Sequence, residues 1–134
     1  MAKHAFYELT ELIENYSKNK ESFDVDKLQL MREDISLCLF RLSDSASLAL
    51  ANYDMSEHVR KIAMAEREQY HRDSKDDDGK RITVSEAQNL ARIDCKKEAE
   101  ACKEALRQKE RVRIVLSSTN AIINAIASRI NMVK

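Results

Sequence analysis

Asp76, Asp77, Asp78 and Gly79 are the residues of this chain that most resemble a chemical motif, because an acidic run before a glycine is how many calcium loops begin. Placing Gly79 on the invariant glycine of an EF-hand loop puts Ser74 at the first ligand position and Ser85 at the last, where a bidentate acid is needed. That ligand set fails, and a solvated turn is the expected reading. Glu68 and His71 form one Glu-x-x-His, the spacing of di-iron bundles, but such a centre needs a second copy and two further inward carboxylates. Neither His4 nor His58 supplies them, so no metal site is expected. A single glycine rules out a glycine-rich phosphate loop. Ser, Cys and His fall into no spacing that would pair a nucleophile with its base, so we expect no catalytic residues, no cofactor and no enzyme. Cys38, Cys95 and Cys102 are few and scattered; the last two stand seven apart, about 10 Å along a helix, beyond the reach of a disulfide. They read as reduced, core-like thiols of a cytoplasmic protein.

What remains is binding. Arg60, Lys61, Arg67, Arg72, Lys75, Lys80 and Arg81 crowd around the glycine, and Arg92, Lys96, Lys97 and Lys103 follow. Such a set could track a phosphate backbone, most effectively in an array of copies, although interleaved acids also make it an ordinary solvated face. The zero formal charge of the chain hides a gradient. Residues 1 to 54 carry six bases and ten acids, net −4, whereas residues 79 to 134 carry twelve bases and six acids, net +6. The two halves, or neighbouring subunits, should attract each other.

The elements that must position these residues are helices. With no proline, one glycine and a composition rich in helix formers, the chain is expected to be all-α and a single domain over 1–134. Phe6, Leu9, Leu12, Ile13 and Tyr16 recur at helical spacing and predict a short helix over about 4 to 18. Asp24 or Asp26 then caps a second helix over about 26 to 72, with apolar positions at Leu28, Met31, Ile35, Cys38, Leu42 and beyond. A charged turn spans about 73 to 82. Thr83 and Glu86 form a capping box that opens a third helix over about 83 to 133, roughly 75 Å of rod at 1.5 Å per residue. Two long helices joined by a short turn predict an antiparallel, coiled-coil-like hairpin, with the single glycine turning it. Its base is rich in large aliphatics and its tip is lean. Ile122, Ile123, Ile126 and Ile130 in the last helix would leave apolar surface exposed in a monomer, which predicts self-association. No apolar run approaches the length of a membrane span.

Three stretches, Lys27 to Gln29 after Phe23 and Asp24, KIAMAEREQY from Lys61 to Tyr70 just before the charged turn, and NAIASRINMVK from Asn124 to Lys134, resemble the UvsY family, the recombination mediators of T-even-type bacteriophages. The resemblance implies an all-helical, ring-forming homo-oligomer without catalytic activity that binds single-stranded DNA. Such a protein helps a RecA-like recombinase replace single-strand binding protein. It also implies a DNA-binding role for Arg67, one member of a basic pair, and an oligomerisation role for the C-terminal helix. Ala65 stands where the family places the other basic residue, a lysine, so Lys61, Arg72 or Lys75 must supply the missing charge. A reading of a different class is a small helical adaptor or inhibitor that docks its apolar base on a protein partner and ignores DNA.

Overall fold

The computed structural model describes residues 2–75 and 79–133, so the acidic run Asp76 to Asp78 and Lys134 lie outside the described residues. The fold is all-α: α1 is Ala2–Asn19, α2 Val25–Arg41, α3 Ser43–Asp73, α4 Val84–Asp94 and α5 Lys96–Val133, with a short 3-10 turn at Lys20–Ser22 and no strand among the described residues. Among those residues no helix is long and apolar enough to cross a membrane.

Asp24 is the residue that starts α2. Its carboxylate accepts the Lys27 N–H at 2.8 Å, which satisfies one of the N–H groups that a helix start leaves unpaired. Thr83 does the same for α4, accepting the Glu86 N–H at 3.2 Å.

Both long helices expected from the sequence are interrupted once. The expected run over 26–72 divides at Leu42, and the expected run over 83–133 divides at Cys95. Neither break contains proline or glycine, and the backbone ladder barely loosens. Leu42 still donates to Cys38 O at 3.1 Å and accepts from Ala46 at 3.0 Å, while Cys95 donates to Ala91 O at 2.9 Å and accepts from Ala99 at 3.0 Å. Leu42 and Cys95 are both buried, 7% and 2% exposed. Each distortion thus accompanies the packing of one buried side chain, and a sequence without breaker residues does not announce it.

The chain forms two compact units, Met1–Leu48 with Glu110–Lys134, and Ala49–Lys109. In the first, α1 and α2 pack against each other in opposite directions, with Glu8 beside Cys38 and Arg41. The final part of α5 runs beside α1 in the same direction: Arg111 stands over the Phe6 ring at 5.3 Å, and Arg129 Nε donates to Lys20 O at 3.1 Å. The core of this unit is aliphatic, with Leu9, Leu28, Ile35 and Ile126 almost or wholly without solvent contact.

That core corrects one expectation. Ile126 and Ile130 are 0% and 5% exposed, and Ile122 and Ile123 pack partly buried against the same cluster. The chain's own N-terminal residues in α1 and α2 cover them, so Ile126 and Ile130 have no apolar surface left for a second copy. An oligomer contact made through Ile126 and Ile130 loses its physical basis, while Ile122 and Ile123 keep part of their surface.

The second unit is built differently. Its buried residues are Ala87, Ala91 and Cys95, all small, and the portion of α3 facing them contributes no fully buried side chain. Tyr53 on α3 lies beneath Lys109 Nζ at 4.5 Å, and Arg67 on α3 meets Asp94 on α4. Moving forward along α3 therefore moves backward along α4 and α5.

Candidate nucleic-acid interface

The basic residues singled out in the sequence sit on the last turns of α3 and on the loop that follows. His71 O accepts the Ser74 N–H at 3.2 Å and Tyr70 O accepts the Ser74 hydroxyl at 2.9 Å, which closes the C-terminus of α3. Beyond the undescribed acids, Gly79 takes φ +80°, a left-handed conformation in which a side chain would be strained. Lys75 and Arg81 then meet in an isolated antiparallel bridge. The chain reverses here, and it returns Arg81 to the end of α3. Arg72 and Arg81 line one shallow cleft with Gln69, Asp73, Ile82 and Val84. Of the seven basic candidates, Arg72, Lys75 and Arg81 are therefore brought together, all exposed. Lys80 is exposed in the same loop. One turn and more upstream, Lys61 pairs with Glu57 at 3.3 Å on the same helix, and Arg60 is half-buried.

Arg67 is placed otherwise. Its Nε donates to Asp94 Oδ2 at 2.9 Å, Nη2 lies at the same distance from that oxygen, and the guanidinium stacks over the Tyr70 ring at 4.4 Å. His71, one helical turn on and therefore on the same face, brings Nε2 within 2.6 Å of the same carboxylate oxygen. Tyr70 and His71 meet edge to face at 5.2 Å between ring centroids. The hydrogen bond from His71, and then that from Arg67, holds the Asp94 carboxyl below its ordinary value. This cluster ties α3 to α4. Part of the Arg67 charge is neutralised within the chain, and what it can still offer a phosphate is the exposed remainder of a side chain that is 42% accessible.

The same contact engages the His71 of the Glu68-x-x-His71 spacing. His71 faces Asp94, and among the described residues no group of three or more His, Cys, Asp and Glu side chains is arranged to hold a metal. Cys38 and Cys95 are thiols pushed above their ordinary pKa, in both cases first by burial, then by Glu8 beside Cys38 and by Glu98 beside Cys95. Raised thiol pKa values disfavour the thiolate that nucleophilic or redox chemistry requires.

Sequence reasoning missed Asp94. The i,i+4 spacing of Arg67 and His71 was visible, but their partner lies 27 and 23 residues away and carries no local signal. The apolar face of residues 35 to 50 is too broad for one helical partner, and on α2 it leaves Leu37 and Phe40 54% and 76% exposed. Comparison with family models, with curated proteins and with solved structures yields no match. The likeness to the UvsY family thus rests on the residues of this chain.

Proposed function

We propose that this protein is a recombination mediator of the UvsY kind, which binds single-stranded DNA as a homo-oligomer and helps a RecA-like recombinase displace single-strand binding protein. The observation that carries this reading is the gathering of Arg72, Lys75 and Arg81 around the Gly79 turn. Three exposed cations on a solvated turn can neutralise phosphates without reading bases, and repetition in an oligomer multiplies many weak contacts. Within the unit of residues 49–109, the opposite running of α3 against α4 and the first part of α5 supports an antiparallel pair of helical arms joined at this turn. A low aromatic content, 5%, makes base stacking a minor contributor and salt dependence a strong one. The mediator carries no catalytic group and acts in the cytoplasm of the infected host.

Fluorescence anisotropy with a labelled oligonucleotide, run at low and moderate salt beside light scattering, tests the proposal. Binding is expected, with affinity falling steeply as salt rises. Arg72→Ala together with Arg81→Ala should weaken it about tenfold at low salt. Arg67→Ala should weaken it less, because Asp94 already holds much of that guanidinium. An intact oligomer that ignores the oligonucleotide at low salt sinks the reading.

The exposed Leu30, Leu37 and Phe40 of α2 favour a second reading, a helical adaptor or inhibitor that docks on a protein. It requires a defined protein complex and no salt-sensitive DNA binding.

A further inference from the structure

Between α1 and α2 runs an open groove whose chemistry is distinct from that of the Gly79 turn. Glu8 and Glu11 from α1 and Asp34 from α2 line it, Leu12 and Cys38 lie deeper, and Leu37 stands 54% exposed beside them. The spacing explains the shape: 8, 11 and 12 on one helix and 34, 37 and 38 on the other each mark a single face. Glu8 is satisfied by His4 at 2.9 Å and Arg41 at 3.2 Å. Glu11 and Asp34 have no ion-pair partner among the described residues, so the groove keeps uncompensated negative charge over apolar floor.

The complementary surface occurs on this chain as well. Ala87 and Ala91 bury one face of α4, yet Leu90 and Ile93, three apart on another face, are 37% and 70% exposed. Around them stand exposed Arg92, Lys96 and Lys97. Arg92 bonds only the neutral Asn89 at 3.5 Å, and neither lysine has an acidic partner among the described residues. One surface is an acidic trough with an apolar floor; the other is an apolar ridge on α4, with one exposed acid, Glu86, a turn before Leu90, and three cations at the end of α4 and the start of α5.

We infer that copies of this chain join head to tail, α4 of one copy lying in the α1–α2 groove of the next. Leu90 and Ile93 cover Leu12 and Leu37, and Arg92 with Lys96 and Lys97 at the start of α5 answer Glu11 and Asp34. A third helix laid along two antiparallel ones is a packing that helical proteins use throughout. Because groove and ridge are different patches, the contact is heterologous, and each pair of copies retains one free groove and one free ridge for further addition. The inference deepens the self-association in the proposed function and is independent of DNA binding. It also supplies what Ile126 and Ile130 cannot, an apolar surface still open to a second copy.

Mass measurement by sedimentation tests it with full-length chains. Ile93→Glu spoils the ridge; Glu11→Lys with Asp34→Lys, or Leu37→Lys alone as a second route, spoils the groove. Each variant should lose assembly while keeping its helical circular dichroism. Mixed in equal amounts, a ridge variant and a groove variant should form a two-chain species, since one intact groove and one intact ridge remain between them. Glu100→Lys with Glu104→Lys, which makes a comparable change in charge on α5, should leave the native mass unchanged. A native assembly that survives both kinds of variant overturns the inference and leaves self-association standing. A mixture that stays monomeric overturns the head-to-tail pairing, and a charge control that also dissociates assigns the effect to net charge and overturns it equally. A native chain that is monomeric at high concentration overturns both the inference and the self-association it deepens.

Discussion

The two units of this protein use the same secondary structure to different ends. The unit of residues 1–48 and 110–134 gathers Leu9, Leu28, Ile35 and Ile126 into an aliphatic cluster, whereas in the unit of residues 49–109 the buried residues are Ala87, Ala91 and Cys95. Large side chains remove much apolar area from water, at about 25 cal/mol per Å2. Alanines remove little, but they let helices approach closely, and α3 and α4 are then tied by the contact of Arg67 and His71 with Asp94. One unit is held mainly by burial. The other relies more on polar contacts and on backbone geometry, and it carries the basic turn. A region that must present charge to a ligand gains from a small core, because its surface positions are free for polar residues.

The comparison breaks first at Ile126. Truncation to Ala leaves a cavity at a site with no solvent contact, and about 2–5 kcal/mol of stability should be lost, measured by urea unfolding followed at 222 nm. A loss below 1 kcal/mol would show that α1 and α2 collapse onto the gap and that the cluster is less tightly packed than its burial indicates. In the other unit the sharpest single position is Gly79. No atom lies within 4 Å of the place a Cβ would occupy, so Gly79→Ala meets only the strain of φ +80°. The expected cost is about 1 kcal/mol, with Gly79→Asn milder because Asn tolerates the left-handed region. An Ala variant as stable as the native chain would mean that the turn readily adopts another conformation.

How much of this was legible in the sequence follows from the range over which each feature is encoded. Helix content was legible because nothing in the composition punctuates a sheet, and α1 could be read from Leu9 and Tyr16 through a 3.6-residue period. The caps act over three residues, so Thr83 was visible for the same reason and the cap of α2 was narrowed to Asp24 or Asp26, of which Asp24 is the one that bonds. The breaks at Leu42 and Cys95 were not, since they follow packing rather than any breaker residue. Periodicity identified Ile126 and Ile130 as an apolar face, and the fold-back set it against residues 28 to 53 with room for the N-terminal helix, but it could not say how completely α1 and α2 would cover it. At the candidate site, local sequence clustered the cations, while the separation of Arg67 from the turn cations depended on Asp94, a distant residue of opposite charge.

The smallest expected effect addresses that pairing, and its sign follows from linkage. Hydrogen bonds from His71 and then Arg67 depress the Asp94 pKa in the folded chain, so between the folded and unfolded values the unfolded chain binds more protons. Stability from this contact is therefore fully present above the ordinary Asp value of 3.8 and is lost as pH falls through the lower folded value. Asp94→Asn removes the titrating group. Relative to the native chain, the variant should have a lower melting temperature at pH 7 and a smaller further decrease on acidification below pH 4. The difference should be modest, because the carboxylate is 32% exposed and water screens the pair. Parallel melting curves for the two chains at pH 7 and at about pH 3 make the measurement. If the gap between them fails to narrow in acid, Asp94 does not stabilise the fold through its charge. The contrast between a unit held by burial and one helped by an ionic tie would then reduce to a contrast in side-chain size.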